Sequence, residues 1–396
     1  MTHIVRALAA SLLAILVAGG CAPLVPATCP ACQECAPCAP PKAADAKYQP
    51  ATFAAIPGWP GPDLPAGLAA FASGCPRIAP ASPLRAACEA ARQVPAGDEA
   101  AARKFLEETF SAWAVQSADG NADGLVTGYY EPVLAGSRTR SERFRVPVYG
   151  PPDDLIGVEL ESVHPELKGQ RLRGRVQGNK LVPYWTRAEI EAGRVRPPVL
   201  AWVEDAVELF FLQVQGSGQI ALEEGDKRGE RLRLAYADQN GHPYRSLGRA
   251  LIQRGELTLE QSSMQGIKAW AAANPGKLRE ALDTNPSYVF FREVPSSGAG
   301  PVGTLGAPLS AGYSIAVDAR AIPLGAPMFL SSTQPLSTQP LDRLVAAQDT
   351  GGAIRGAVRA DLYWGSGSEA GTLAGRMRQQ GRLWVLWPRG AGEPRP

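Results

Sequence analysis

Residues 346–371 read AAQDTGGAIRGAVRADLYWGSGSEAG, and they place two aspartates, Asp349 and Asp361, among short apolar runs and six glycines. Short runs of this kind between glycines are typical of β-strands separated by tight turns. No histidine or cysteine lies in the stretch. Acid–base chemistry in this part of the chain must therefore be carried by carboxyl groups.

Three aspartates share this setting: Asp318 in AVDAR, Asp349 in AAQDTGG and Asp361 in RADLYWG. A carboxyl group beside a buried strand is partly desolvated, which raises its pKa above the free value of about 3.9 and allows it to act as a general acid. The alternative for each is a turn cap, in which the carboxylate accepts hydrogen bonds from backbone N–H groups.

Other catalytic motifs find little support in the sequence. The D-T-G motif at 349–351 occurs once, whereas an aspartic protease needs two copies, so this reading would require a homodimer. The glycines at 365–371 do not have the spacing of a dinucleotide-binding loop. The three histidines, His3, His164 and His242, accompany no G-x-S-x-G motif, which argues against Ser-His-Asp catalysis and against a zinc site. We expect no cofactor.

The first 20 residues have the pattern of a secretory signal, with Arg6 followed by an apolar run over 7–18. The run is shorter than the ~20 residues of a membrane-spanning helix. Ala18-Gly19-Gly20-Cys21 resembles a bacterial lipobox, so Cys21 is predicted to be the lipidated first residue of the mature chain. No aspartate follows it, which favours the periplasmic face of the outer membrane.

The remaining six cysteines form two groups. Cys29, Cys32, Cys35 and Cys38 have a spacing that metal or iron–sulfur sites also use. They lie, however, in a Pro/Ala-rich tether of an exported chain, where thiols are oxidised, so no metal is predicted. Cys75 and Cys88 are predicted to form one disulfide bond.

The composition indicates an ordinary globular protein. The chain has 396 residues, a net charge of +2 and 45% hydrophobic residues, which allows two domains and gives no reason to expect nucleic-acid binding. The patterns over 51–120 are helical, including a helix over 99–115 capped by Asp98, and strands begin at about 124. Residues 199–222 read as two strands joined by a turn at Gly216–Gly218; helices return over 246–282, and strands follow to the C-terminus.

Several segments, taken in order, resemble the membrane-bound lytic murein transglycosylase A family: GYYEPVLAGSRTRSERFRVPVYG, YWTRAEIE, LFFLQVQGSGQIAL, NPSYVFF and the stretch at 346–371. The resemblance covers about residues 75–392. It implies a mainly β fold with peripheral helices, in which a double-psi β-barrel domain is built from both chain ends, 51–145 and 286–392. A second β domain, 146–285, would be inserted, with a groove between the two. The signal would occupy 1–20 and the tether 21–50.

The resemblance also implies a reaction. Family members are lytic exotransglycosylases that cleave the β-1,4 bond between N-acetylmuramic acid and N-acetylglucosamine in peptidoglycan without water, leaving 1,6-anhydro ends. One carboxyl group suffices, because the substrate's own C6 hydroxyl is the nucleophile. By its place in the motif, Asp361 would be the acid and then the base, Asp349 a neighbouring carboxylate and Asp318 a structural one.

The same resemblance implies which residues bind the glycan. The groove-lining candidates are Thr127, Gly128, Tyr129, Glu131, Gln215, Gly216, Ser217 and Gly218. Tyr129, Tyr363 and Trp364 would stack on sugar rings, the alternative being that they are core aromatics on strands. The expected partners are peptidoglycan glycan strands, the membrane through the lipid anchor, and cell-wall synthesis proteins.

Two other functions remain open at this point. A hydrolytic glycosidase would use Asp361 together with Asp349 or another acid to activate water. A lipoprotein that binds peptidoglycan without cleaving it could be built on the same fold, since a fold does not determine a function.

Overall fold

The computed structural model of the chain describes residues 46–167, 170, 172–295 and 300–396. The predicted signal, Cys21, the cysteines at 29–38 and nearly all of the tether lie outside this part. Among the described residues, no helix is long and apolar enough to cross a membrane.

Nine α-helices lie in the described part of the chain: Leu64–Gly74 (α1), Leu84–Ala91 (α2), Glu99–Thr109 (α3), Arg187–Glu191 (α4), Ala206–Gln215 (α5), Leu247–Gln253 (α6), Met264–Ala273 (α7), Pro275–Asp283 (α8) and Gly367–Arg376 (α9). Single turns of 3-10 helix lie at Phe53–Ala55, Cys75–Arg77 and Pro165–Leu167.

The strands of the described residues begin with Lys47–Ala51 (β1), Phe110–Gln116 (β2), Gly124–Glu131 (β3), Val133–Ser137 (β4), Val146–Tyr149 (β5), Ile156–Val158 (β6), Leu172–Gln177 (β7), Lys180–Pro183 (β8) and Val199–Val203 (β9). They continue with Ser217–Glu224 (β10), Arg231–Gln239 (β11), Val289–Val294 (β12), Ser314–Val317 (β13), Pro327–Thr333 (β14), Pro340–Asp349 (β15), Arg359–Ser366 (β16) and Arg378–Pro388 (β17).

The largest sheet has eight strands in the order β1-β2-β17-β14-β15-β13-β16-β3, and β3 also pairs with β17. Six strands, β17, β14, β15, β13, β16 and β3, are therefore linked in a cycle of pairings. Five of them come from the C-terminal part of the chain, and β3 comes from the N-terminal part. The mainly β fold with peripheral helices is confirmed, and the cycle contains strands from both chain ends, while the double-psi β-barrel stays a prediction.

A second sheet has the order β12-β11-β10-β4-β9-β5, and a small third sheet has the order β6-β7-β8. Strands β4 and β12 lie outside the predicted insert of residues 146–285 and yet pair with β10 and β11. We propose that the unit around the second sheet spans about residues 133–294. Similarly, β1 pairs with β2, so residues 47–50 belong to a strand, although the sequence analysis placed them in the tether.

The prediction of two strands over 199–222 is wrong in its middle part, because residues 206–215 form helix α5. Asp205 caps this helix by accepting hydrogen bonds from the N–H groups of Val207 and Glu208, and Gly216 ends it with a positive φ of 78°. Leu209 and Leu212 pack on the second sheet, while other α5 residues pack on helices. Because the helix is buried on both sides, seven of its ten residues are apolar, and it reads like a buried strand.

The helix predicted over 99–115 ends earlier, at Thr109. Asp98 caps it as predicted, by accepting a hydrogen bond from the Ala101 N–H at 2.9 Å. From Phe110 the chain forms β2, which pairs with both β1 and β17. The helical spacing of Phe105, Phe110 and Trp113 is thus overridden by strand pairing, since local propensity is weaker than tertiary packing.

Cys75 and Cys88 form the predicted disulfide bond, which joins the end of α1 to α2 and closes a loop with a sequence separation of 13 residues. Both cysteines are buried in the core of the first sheet.

We predict that the double variant Cys75→Ala, Cys88→Ala is less stable than the parent chain by about 3 kcal/mol, because the crosslink restricts the unfolded chain over this loop length. Urea unfolding followed by far-UV circular dichroism measures the difference. Adding a reductant should lower the midpoint of the parent and leave the variant unchanged. Equal midpoints for the two chains would contradict the prediction.

Candidate active site

The strand register brings Asp349 and Asp361 to the same place in the largest sheet. Ala316 of β13 is the partner of Asp349 on β15 and also the partner of Asp361 on β16. Residues paired across strands point to the same face, and neighbouring strands lie about 4.8 Å apart, so the two aspartate Cα atoms are separated by roughly 10 Å. In the strand register, Ala316 lies between the two aspartates.

An irregularity in β15 turns Asp349 toward this face. Ile315 pairs with Ala347 and Ala316 pairs with Asp349, so Gln348 is skipped in the register. The buried Gln348 side chain donates to the Ala70 carbonyl oxygen of α1 at 2.6 Å and accepts from the Ser314 hydroxyl at 2.6 Å. Such bulges re-aim the following side chain. The anchoring of Gln348 in the core therefore places Asp349 on the face of Asp361.

Asp361 is held from the neighbouring strand β3, which pairs with β16 in parallel and places Thr127 opposite Asp361. The Thr127 hydroxyl donates to Asp361 Oδ1 at 2.5 Å, and Arg359 Nη2 donates to Thr127 Oγ1 at 2.8 Å. Burial raises the pKa of Asp361, and the nearby Asp349 adds to this effect, while Thr127 and Arg359 oppose it. Asp361 is thus a carboxyl group that can hold a proton above the usual pH range of aspartate.

Asp349 has a different environment, because its two oxygens accept four hydrogen bonds. Oδ2 accepts from the Tyr129 hydroxyl at 3.0 Å. Oδ1 accepts from the Thr304 N–H, the Thr304 hydroxyl and the Thr350 N–H, each at 2.9 Å. Donors of this kind stabilise the charged form of a carboxylate. Burial and the two aspartates raise the pKa of Tyr129 well above its usual value, so Tyr129 remains a phenol that donates.

Asp318 lies just after β13 and is almost fully buried. Arg320 forms a bidentate pair with it through Nε at 2.9 Å and Nη2 at 2.7 Å, and the Gly356 N–H donates at 2.9 Å. Burial alone would raise the pKa of Asp318, but these donors lower it overall. With its oxygens occupied by the turn around it, Asp318 has the contacts of a structural carboxylate.

Glu131 does not line a groove, in contrast to the expectation from the sequence, because its side chain has 0% exposure. Glu131 Oε2 accepts from Gln219 Nε2 at 2.7 Å and from the Ser366 hydroxyl at 2.6 Å, and Arg233 Nε lies 3.2 Å from Oε1. Gln219 and Arg233 belong to β10 and β11. The buried carboxylate therefore joins the end of β3 to the second sheet.

Of the three aromatic candidates, Tyr363 is a core residue and Trp364 is partly buried beside the core. Tyr363 is 1% exposed and packs against the Tyr129 ring, with ring centres 5.3 Å apart. Trp364 points to the opposite face of β16 from Asp361, since side chains alternate along a strand, and its indole N–H donates to Met377 Sδ at 3.3 Å. Gly128 serves this packing, because a Cβ there would lie 2.6 Å from the Trp364 ring. In this conformation the buried ring of Tyr363 has no exposed face for a sugar, whereas Trp364 is partly exposed, and its stacking on a sugar stays a prediction.

The segment Gln215–Gly218 mainly supports the junction of α5 with the sheets. Gln215 Oε1 accepts from the Tyr130 N–H at 3.1 Å, and a Cβ at the buried Gly218 would lie 2.2 Å from Leu212 Cδ1. Gly216 ends the helix, and Ser217 is partly exposed. Of the predicted site residues, the structure brings Thr127, Tyr129, Asp349 and Asp361 together on one partly exposed face.

Sequence reasoning missed two contributors to this face. Arg359 lies two residues before Asp361, where strand alternation could have indicated it. Thr304 binds Asp349 across 45 residues of sequence from a loop, and no local pattern marks it.

A cleft of about 400 Å³ lies where β3 and β16 end. Neither aspartate lines it, but Gly367 and Ser368, which directly follow the strand of Asp361, do, as does Pro132, which directly follows β3. Its lining residues are Tyr130, Pro132, Val133, Leu134, Ala135, Val203, Glu204, Asp205, Glu208, Lys268, Gly367 and Ser368. Val133 and Val203 belong to the second sheet, so the cleft extends from the ends of β3 and β16 toward that sheet.

Two family models match the chain: the MltA specific insert domain over residues 125–292 and the 3D domain over residues 313–387. Membrane-bound lytic murein transglycosylase A of Escherichia coli (strain K12) is 35% identical over 291 residues, which are 72% of this chain and 71% of that protein.

Solved structures agree with these matches. The crystal structure of MltA from Neisseria gonorrhoeae, in its monoclinic form, has a TM-score of 0.77 and 41% identity, covering 89% of this chain and 95% of that chain. The structure of E. coli MltA with bound chitohexaose has a TM-score of 0.65 and 29% identity, covering 88% of this chain and 95% of that chain.

We predict opposite stability effects for two aspartate variants. The pKa of Asp361 is raised in the folded state, so its ionisation costs stability above that pKa and costs nothing below the unfolded value of about 3.9. Asp361→Asn should therefore raise the melting temperature at neutral pH, and the gain should disappear below about pH 4.

Asp318→Asn is the matched comparison, because it removes a partner of Arg320 and Gly356 from a carboxylate whose pKa is lowered. It should lose about 1–3 kcal/mol at neutral pH, and less as the solution is acidified. Calorimetry of both variants across pH measures these shifts. A melting temperature for Asp361→Asn below that of the parent at neutral pH would contradict the conclusion that the buried, ionised Asp361 destabilises the folded state.

Proposed function

Since the chain belongs to the membrane-bound lytic murein transglycosylase A family, whose named members act on murein, we propose that it cleaves the β-1,4 bond between N-acetylmuramic acid and N-acetylglucosamine in peptidoglycan. The reaction uses no water and leaves 1,6-anhydro-N-acetylmuramic acid ends. Asp361 is the single acid and base.

The observation that carries this proposal is the contrast between the two carboxyl groups. Asp361 receives one side-chain hydrogen bond, from Thr127, and has a raised pKa. Asp349 receives four hydrogen bonds and has no oxygen without a donor. Environments that separate two carboxyl groups in this way assign their roles in acid–base catalysis. Asp361 is the group that can carry a proton to the substrate.

The steps balance with one carboxyl group. Asp361 gives its proton to the glycosidic oxygen while the bond from that oxygen to C1 of the muramyl residue breaks. The C6 hydroxyl oxygen of the same residue bonds to C1, and its proton passes to the Asp361 carboxylate. The enzyme is thereby returned to its protonated state, ready for another cycle.

Asp349 supports this reaction through its charge. A glycosidic bond breaks through a transition state with positive charge on the sugar ring. A carboxylate that is fixed by four donors and lies on the same face as Asp361 stabilises such a charge without having to reorganise. A hydrolytic glycosidase would instead need Asp349 to accept a proton from water or to attack the sugar, and its four donors compete with either role.

The proposed substrate is a glycan strand of peptidoglycan, which the chitohexaose-bound relative supports by analogy. The cleft near the ends of β3 and β16 offers a path for further sugar units. We also propose that Cys21 carries a lipid that holds the enzyme on the periplasmic face of the outer membrane, where cell-wall synthesis proteins are its candidate partners.

Digestion of purified murein sacculi by the mature chain tests the reaction. Mass spectrometry of the released muropeptides should show products lighter by one water molecule than hydrolysed ones. Digestion in heavy-oxygen water should leave them unlabelled. Asp361→Asn should lower the rate by roughly 100- to 10,000-fold, the range for loss of a general acid, while the exposed-loop variant Asp119→Asn should retain it.

Two results would contradict the proposal. Labelled reducing ends would show a glycoside hydrolase and make Asp349 the second catalytic carboxylate. Binding to sacculi without release of muropeptides would show a non-catalytic cell-wall protein.

A further inference from the structure

Arg359, Thr127 and Asp361 form a chain of hydrogen bonds on the partly exposed face of the largest sheet. Arg359 Nη2 lies 2.8 Å from Thr127 Oγ1, which in turn lies 2.5 Å from Asp361 Oδ1. Arg359 and Asp361 are alternate residues of β16 and therefore project to the same side. Thr127 is the register partner of Asp361 on β3.

We propose that Arg359 and Thr127 are a positioning pair that keeps Oδ1 of Asp361 as a hydrogen-bond acceptor, so that Oδ2 carries the catalytic proton. This inference rests on the proposed function of Asp361 as the acid and base. It reassigns Thr127 from lining the groove to orienting the catalytic group.

The direction of each hydrogen bond follows from the chemistry of the three side chains. A guanidinium group can only donate, so Thr127 Oγ1 accepts from Arg359. The threonine hydroxyl has one hydrogen, and Asp361 Oδ1 is the acceptor within reach of it. Oδ1 therefore accepts, and the proton of the carboxylic acid must be on Oδ2. Both the acid step and the base step then use the same oxygen.

Arg359 also acts through its charge. In the part of the chain that the structure describes, no carboxylate lies within salt-bridge distance of its guanidinium group, whose acceptors are Thr127 Oγ1 and the carbonyl oxygens of Leu125 and Ala360. Burial lowers the pKa of Arg359, and the charge of Asp361 opposes this. The charge of Arg359 therefore acts on Asp361 without being neutralised by an ion-pair partner among the described residues.

The pair thus limits how far the pKa of Asp361 rises. Burial and Asp349 raise it, whereas the Thr127 hydrogen bond and the Arg359 charge lower it. The other polar or charged groups at this face are Tyr129 and Tyr363, which remain phenols, and Arg378 of β17, which pairs with Thr127 in register and is exposed. A group that must serve as acid and then as base needs a pKa near the working pH, and the pair opposes the rise that burial causes.

Thr127→Val tests the proposal, because it keeps the side-chain shape and removes the hydroxyl. In the full mature chain, kcat/KM on sacculi should fall roughly 10- to 100-fold, as expected when a reacting group is misplaced. Activity requires protonated Asp361, so it falls as the pH rises through the pKa of that group. Loss of the Thr127 hydroxyl, which donates to Asp361, raises this pKa. The fall of activity at alkaline pH (the alkaline fall) should therefore move to higher pH.

Other variants separate positioning from a merely structural role. Thr127→Ser keeps the hydroxyl and should retain both the rate and the position of the alkaline fall. Arg359→Gln removes the charge and should also move the fall to higher pH, whereas Arg359→Lys should keep it in place. The helix-surface variants Thr372→Val and Arg85→Gln are the matched controls, and both should behave like the parent.

The proposal is overturned if Thr127→Val and Arg359→Gln lose activity with the alkaline fall unmoved, or if Thr127→Ser behaves like Thr127→Val. If Thr127→Val does not fold, as judged by circular dichroism, Arg359→Gln and Thr127→Ser still decide the question. Failure of the proposed function would be distinguishable, because the parent chain itself would then release hydrolysed products or no muropeptides at all, whatever the variants do.

Discussion

Strand β3 pairs in parallel with β16, so that Thr127 lies opposite Asp361 although 234 residues separate them in sequence. A parallel pair cannot be joined by a short turn, and here the whole second sheet lies within the connection. The same pairing completes the cycle of six strands and brings Tyr129 to Asp349. The register of β3 therefore determines both the cycle of strand pairings in the largest sheet and the polar contacts of the two aspartates.

The different roles of Asp349 and Asp361 depend on how many hydrogen-bond donors contact each carboxyl group. The aspartates occupy equivalent positions on either side of Ala316, and only their surroundings differ. Asp349 follows a bulge that Gln348 anchors on α1, and four donors meet it there. Asp361 lies in a regular part of its strand and meets one hydroxyl. Desolvation without compensating donors raises the pKa of a carboxyl group, so the fold separates two chemically identical side chains into different roles.

The sequence predicted the features that local patterns encode. Alternation and glycine-bounded runs predicted most strands, and the motif around Asp361 identified the aspartates. The missed features depend on tertiary contacts: α5 reads as a strand because both of its sides are buried, and β2 reads as helix because its strand partners are distant. Glu131 looked like a groove residue because its buried partners, Gln219 and Arg233, belong to another sheet. Thr304 reaches Asp349 from a loop, so no spacing could indicate it.

A single-aspartate mechanism requires that Asp361 remains protonated at a pH at which an ordinary aspartate has ionised. Carbon-13 NMR of aspartate carboxyl groups, with the Asp361 signal assigned by its absence from Asp361→Asn, measures this directly. We expect this carboxyl group to titrate above the ordinary value of about 3.9. A titration at or below that value would show that Asp361 is ionised when substrate binds, and a single-aspartate acid mechanism would be contradicted.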